Sequence, residues 1–403
     1  MVAVEASDLV SVIDAGGVAG ADEAEFLEAR ATEVQAGLDL EEGPLFKVAL
    51  FELRDRRQLA LVVAHHLIVD TVSWPVLLED LASAYAQVEQ GARTVELVAK
   101  TSSFVAWAGR LAELAVSPEV AAEAVFWRET EVAAVPLPRV FEGANPVSGA
   151  RRVSVALEAG LTERLLREVP AAFRTQINDV LLSVLGAVFT EWTRTGSVLV
   201  DVEGHGREDV GTDIDVSRTV GWFTSVHPVA LTALADGDLG ALLRRTKEYL
   251  RGIPRKGLGY GLLRHLTDWT QDGPAGAEVS FNYLGQSVQP TAADTDQRSG
   301  SGAERAKEGR GGRFRPLPGS LGESQSSQNE RPHLIEVNSQ VVDGRLEMVW
   351  TYGVEVHDEA TIAGLAERYV VVLGELIEYC CRPDTGGHTP SDFPLVRIDQ
   401  AVL

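Results

Sequence analysis

Cysteine is nearly missing: the 403 residues hold two, and Cys380 and Cys381 are adjacent. Neighbouring cysteines cannot build a disulfide framework or a spaced zinc knuckle, and a reducing, cytoplasmic setting fits such usage. Basic residues are also scarce, with 36 Lys and Arg against 59 Asp and Glu and a net charge of -23. Nucleic acid and anionic membranes are therefore poor partners, because both need clustered cations to displace counterions. No apolar run nears the ~18 residues of a membrane span, and the first ten residues lack the basic-then-apolar pattern of a secretory leader. The Gly-x-Ser-x-Gly elbow, the Gly-x-x-x-x-Gly-Lys phosphate cradle and the dinucleotide fingerprint are all missing. Serine hydrolase, nucleotide hydrolase and nicotinamide chemistry thus lose their signatures. What remains is acid and base chemistry by side chains.

The bulk composition, 45% apolar and 24% charged, is that of a soluble globular protein with room for two or three domains. Apolar spacing predicts a helix over 24–38, and strands over 46–53 and 58–64 joined by the charged turn 54–57. Ser73 is expected to cap the next helix, with Pro75 in its first turn and Gly91 closing it. Helices follow over 102–116 and 118–131. The Pro- and Gly-bearing stretch 135–150 reads as a connection, dividing an N-terminal lobe, 1–140, from a C-terminal lobe, 151–403. Beyond it come a strand over 152–157, a helix from Thr162, an apolar helix over 178–193 and a strand over 197–202. Residues 289–332, rich in Gly, Ser, Gln and mixed charge, are expected to be a disordered insertion. A hairpin over 334–342 and 345–352 turns at Asp343-Gly344, and a helix over 358–380 closes the chain.

Two segments carry chemistry. His65-His66-Leu67-Ile68-Val69-Asp70 ends the second strand on a strand-to-helix loop, where a rigid scaffold presents reactive groups. Adjacent strand residues point to opposite faces, so one histidine is expected to be structural. Asp70 can orient a histidine or pair with a buried arginine. The second segment, Glu203-Gly204-His205-Gly206-Arg207-Glu208, is a glycine-hinged acidic loop whose glycines permit positive dihedrals and close approach of a substrate. A tight turn with solvated charges is the alternative. His65, His66, Asp70, Glu203 and His205 would be the ligands of a divalent ion, but no ligand spacing supports a metal, and none is expected. Arg218 to Thr224 and Phe281 to Gln286 combine aromatic with small or polar residues, as pocket walls and ordinary cores both do.

Taken in order, these segments closely resemble the epimerization domains of nonribosomal peptide synthetases. His65 to Trp74 is similar to the family's HHxxxDxxSW, Asn178-Asp179-Val180-Leu181-Leu182 to its next helix motif, and Glu203 to Glu208 to EGHGRE. Arg218 to Thr224 resembles RTVGWFT, Gly257 to Gly261 GxGYG, and Phe281 to Gln286 FNYLGQ. The related condensation domains usually carry Gly where this chain has Thr71, and lack EGHGRE. The resemblance implies an α/β fold of two chloramphenicol-acetyltransferase-like lobes in a V-shaped pseudo-dimer around a central tunnel. It implies a cofactor-independent isomerase acting on the α-carbon, L to D, of an aminoacyl or peptidyl thioester carried on the 4'-phosphopantetheine of a peptidyl carrier protein. Its partners would be that carrier and neighbouring synthetase modules.

Carried over by position, His66 and Glu203 are the acid/base pair and Asn282 and Tyr283 assist. His65, Asp70, Ser73, Trp74, His205 and Arg207 orient them, and Trp222, Phe223 and Thr224 line the tunnel. The family opens with a further strand, helix and PIQxWF-type motif not found here, so an N-terminally truncated member is expected. Ser391-Asp392-Phe393-Pro394-Leu395 resembles the tail that follows such domains in longer synthetases. The alternatives are a condensation domain that forms a peptide bond and an inactive carrier-docking fragment.

Overall fold

The computed structural model describes residues 6–18, 21–211, 214–233, 237–269, 276–287, 321–383, 385–393 and 395–396. The described residues form two compact units. Those within 1–107, 211–223 and 292–326 make up the first, and those within 108–210, 224–291 and 327–403 the second.

The first unit holds a three-stranded sheet of β1 (Val10–Asp14), β2 (Phe46–Glu52) and β3 (Gln58–Ala64), in that order. β1 runs parallel to β2, and β2 antiparallel to β3 with Phe46 opposite Ala64. Period-2 alternation buries Ala49 and Phe51 of β2 completely. Against the sheet lie α1 (Ala6–Leu9) and α2 (Ala21–Ala36), and α3 (Ser73–Glu89) follows it in the chain. β3 leads through a single 3-10 turn, His66–Ile68, toward α3. Ser73 is not the cap expected of it. Val72 is already helical in backbone, so Ser73 is the first helical residue, and the Asp70 carboxylate accepts its N–H at 2.8 Å instead. α4 (Phe104–Ala115) runs across the division between the units.

The second unit begins with α5 (Pro118–Glu131), whose first turn is capped by Ser117 Oγ accepting from Val120 N at 3.3 Å. Its sheet contains β4 (Ala150–Ala156), β5 (Ser197–Gly204), β6 (Ser225–Thr232), β7 (Val279–Ser287), β8 (Ile335–Val342) and β9 (Arg345–Gly353), in the order β4-β9-β8-β7-β5-β6. β7 is parallel to both β5 and β8, and the other pairs are antiparallel. Asp343 and Gly344 both have positive φ, 48° and 78°, which suits the two-residue hairpin that joins β8 to β9.

Alternation divides β5 into a buried apolar row, Val198, Val200 and Val202, and an opposite row, Leu199, Asp201 and Glu203. On the apolar side lie α6 (Ala159–Phe173), α7 (Ile177–Thr193) and α10 (Glu359–Cys380), while α8 (Leu239–Gly252) and α9 (Leu258–Leu266) flank β6. Phe189 of α7 stacks on Trp350 of β9 at 5.9 Å, and Trp350 meets Tyr369 of α10 edge-on at 5.9 Å. Trp350 and Tyr369 are fully buried, each stabilising the layer by about 2–3 kcal/mol through area removed from water.

Two stretches differ from the sequence reading or extend it. Residues 321–332, placed in a disordered insertion, are ordered: Gln35 Nε2 donates to Leu321 O at 2.9 Å, and buried Arg331 bonds Asn145 Oδ1 at 3.1 Å and Thr351 O at 3.0 Å. Arg331 is buried and satisfied by these partners, while most of the stretch keeps its polar side chains in solvent. The part of that expectation on 289–320 lies outside the described residues. The stretch 135–150 belongs to the second unit, where Val140 and Phe141 N–H both donate to Val356 O at 3.0 Å.

Candidate functional site

In the first unit, His65 keeps an extended backbone, and its Nδ1 accepts the Leu67 N–H at 3.2 Å, which ties it to the turn. His66 lies inside that turn, exposed, with its ring edge-on to Trp222 at 5.3 Å. Trp222 is brought there by a docking arrangement around Asp70. This carboxylate, 2% exposed, accepts from Ser73 N and, at 3.1 Å, from Phe223 N. Ser73 Oγ lies 2.7 Å from Asp70 Oδ1 and 3.0 Å from Gly221 O, and accepts the Gly221 N–H at 3.1 Å. Asp70 thus uses backbone and hydroxyl donors to clip the segment Gly211–Phe223 onto the turn that carries His66.

Three further contacts hold the same segment. Arg218 pairs with Glu79 at 2.7 Å and Asp80 at 2.6 Å on α3, and Thr219 Oγ1 donates to Ser102 O at 2.6 Å. Phe223 is buried against Phe104 and Trp107, at 5.2 and 5.7 Å between ring centres, so it anchors the segment in the core. A Cβ at Gly221 would strike the Phe104 ring, which explains that glycine inside RTVGWFT. Trp222 stays 43% exposed, and Trp74 is half-buried in the first turn of α3.

The second unit holds the other group. Glu203 is still within β5, one residue beyond the last β5–β7 register pair, Val202 and Phe281. Asn282 therefore faces it, and Asn282 Nδ2 donates to Glu203 Oε2 at 2.7 Å. Ser339 Oγ donates in turn to Asn282 O at 3.1 Å, linking the strand beyond. Tyr283 follows just before a bulge in β7, half-buried, and burial raises its phenol above the usual range, keeping it protonated at neutral pH. Thr224 opens the returning part of this unit ahead of β6.

Within EGHGRE, Gly206 has a positive φ of 66°, as expected of a hinge, but Gly204 does not. Gly204 stays in the strand, and a Cβ there would press on Ser225 Oγ. His205 Nδ1 accepts the Arg207 N–H at 3.0 Å, and its Nε2 lies 3.4 Å from Glu208 Oε1. Glu208 Oε2 pairs with Lys256 at 2.8 Å. The loop is thus internally bonded rather than merely solvated, with half-buried Arg207 at its turn.

Reading by motif missed what the GxGYG glycines do. Gly257 has φ 88°, and an added Cβ would fall inside the His227 ring; at Gly259 it would fall on the Glu123 carboxylate. His227, 6% exposed, is pushed down to about 4 by burial, partly opposed by Asp201. Among the described residues no three His, Cys, Asp or Glu side chains come together so as to hold a metal ion, and no helix is long and apolar enough to cross a membrane.

Comparison with known proteins now supplies the class. Residues 5–393 match the condensation domain model, and the chain belongs to that family. It is 42% identical over 94% of its length to a linear gramicidin synthase of Brevibacillus parabrevis, and 40% identical over 90% to tyrocidine synthase 2 of the same organism. These alignments cover 5% and 10% of those proteins, so the chain spans a small part of the relatives it matches. Among solved structures, it is 36% identical, at a TM-score of 0.80, to the epimerization domain from the third module of tyrocidine synthetase B, covering 93% of this chain and 80% of that one. The condensation domain of Monacolin K polyketide synthase, at 16% identity and TM-score 0.64 over 92% and 80% of the two chains, shares the fold. The mixed α/β architecture is that of these neighbours.

Proposed function

We propose that the chain is a cofactor-independent epimerase domain, inverting the α-carbon of an aminoacyl or peptidyl thioester that a carrier protein presents on its phosphopantetheine arm. The observation that carries this reading is the Asn282–Glu203 hydrogen bond, which fixes a carboxylate at the end of β5. Condensation chemistry has no evident use for a second positioned acid. Similarity to an epimerization domain at 36% identity supports the same reading, whereas condensation-type neighbours such as the Monacolin K domain match at 16%.

In this reading His66 and Glu203 are the two acid/base groups. One removes the α-proton, and the electron pair passes to the thioester carbonyl as an enolate; the other returns a proton to the opposite face as the carbonyl re-forms. The thioester acidifies that α-hydrogen relative to an ester or amide. Asn282 holds Glu203 in one rotamer, and Tyr283, a phenol neutral at pH 7 whose value burial raises further, is the proposed second assisting group. Asp70 and Ser73 act at one remove, by docking Trp222 against His66. Carrier and neighbouring modules are the proposed partners, and no metal or nucleotide takes part in the proposed steps.

The discriminating experiment supplies a donor carrier loaded with an L-aminoacyl or an L-peptidyl thioester, first alone and then with a loaded acceptor carrier. An epimerase gives D-configured thioester from the donor alone. A condensation domain gives a dipeptidyl product only with both, and a docking fragment binds the carrier but gives neither product.

A further inference from the structure

The second unit contains a cavity of about 550 Å³ that the proposed chemistry has not used. Its volume is within the range of small-ligand sites, about 300–1,000 Å³. The cavity begins at Val226, the cross-strand partner of Glu203 in the β5–β6 ladder, and continues past Pro228, the partner of Asp201. Asp201 and Leu199 line it from the same row of β5 that carries Glu203. The wall therefore runs from beside the proposed catalytic carboxylate along the strand, at ~3.3 Å per residue.

Its lining combines apolar surface with paired polar groups. Leu199, Val226, Pro228 and Leu334 offer apolar surface. Between them stand groups already paired yet facing the space: Asp201 Oδ2 lies 2.9 Å from His333 Nε2, and Tyr260 bridges Glu131 at 3.0 Å and Arg264 at 2.7 Å. Glu278, which pairs with Arg139 at 2.9 Å, adds a third acid against two arginines. Such walls offer acceptors to amide N–H groups and a net acidic surface to a terminal ammonium.

We propose that this cavity binds the residue immediately upstream of the reacting one, so that the preferred substrate is a peptidyl rather than an aminoacyl thioester. Asp201, two positions before Glu203, is ~7 Å away along the strand. One extended residue, ~3.5 Å, plus its side chain or terminal amine bridges that interval. The inference rests on Glu203 being the acid/base group, but its test does not need turnover.

The probes are unreactive amide analogues, glycyl-L-phenylalanyl pantetheine amide and L-phenylalanyl pantetheine amide, titrated into the full chain while the histidine ring signals are followed by NMR. The dipeptidyl analogue is expected to move the His333 and His265 signals, which both line the cavity, and the aminoacyl analogue to leave them in place. Gly276 lies on the wall, and a Cβ there meets nothing within 4 Å, so Gly276→Trp is the variant chosen to occupy the space. Gly276→Trp and Asp201→Asn should each weaken the dipeptidyl analogue about tenfold and change the aminoacyl one less than about twofold. The proposal is overturned if the dipeptidyl analogue leaves His333 and His265 unmoved, or if both variants weaken the two analogues equally. Movement of these signals with no exchange from any thioester would remove the catalytic reading and leave the subsite standing.

Discussion

Asn282 on β7 holds Glu203 on β5 through one hydrogen bond of 2.7 Å between neighbouring parallel strands. A carboxylate so held loses little entropy when it meets an α-hydrogen. Glu203→Gln preserves shape but removes the proposed acid/base group, and is expected to slow α-proton exchange by about 10²–10⁴-fold. Asn282→Ala should cost less, about tenfold to a hundredfold, mainly in kcat, because the carboxylate remains but turns more freely. Steady-state exchange of the two variants, each checked for a wild-type urea midpoint, measures this.

Around His66 the expected effects concern stability as well as rate. Asp70→Ala strips the acceptor from buried Ser73 and Phe223 N–H groups, and should cost about 2–4 kcal/mol in urea unfolding. Ser73→Ala removes a hydroxyl but leaves that carboxylate, so about 1 kcal/mol is expected. Both should lower activity more than stability alone explains, since both loosen Trp222 beside His66.

Gly257→Ala places a Cβ inside the His227 ring at a φ of 88°. Left-handed backbone and overpacking together should cost about 2–5 kcal/mol. Gly261→Ala, where a Cβ meets nothing within 4 Å, is the control expected to be neutral or stabilising.

His227 gives the stability a specific pH dependence. Buried, it titrates near 4, below its ordinary 6.5, so the unfolded chain binds the extra proton first as pH falls. Its contribution is complete above pH 6.5 and is lost between 6.5 and about 4, up to on the order of 3 kcal/mol. His227→Gln should flatten that part of the stability profile, measured as urea midpoints from pH 7 to pH 4.

Local chemistry in the sequence already locates β3, α5 and the β8–β9 turn, since apolar spacing and the Asp343-Gly344 pair act within a few residues. Long-range partners are a different matter. Asp70 meets Phe223 across 153 positions, and no periodicity announces that bond. Likewise Arg331 pairs with Asn145 across 186 positions, which is why a polar stretch that composition marks as unstructured is ordered at its end. The site shows the same split. Motif resemblance proposes His66, Glu203 and Asn282, but the tie between Asn282 and Glu203 follows from β5–β7 register, which appears only in the fold. Phe223, read as tunnel lining, is buried because Phe104 and Trp107 from α4 reach it.

The most direct measurement loads a carrier with an L-aminoacyl or L-peptidyl pantetheine thioester, adds the chain in deuterated buffer, and reads α-deuterium and configuration after thioester cleavage. The expected result is deuterium at the α-carbon together with D-configured product, lost in Glu203→Gln and in His66→Ala. Retention of the α-hydrogen and of L configuration by the folded wild-type chain would contradict the proposed acid/base pair.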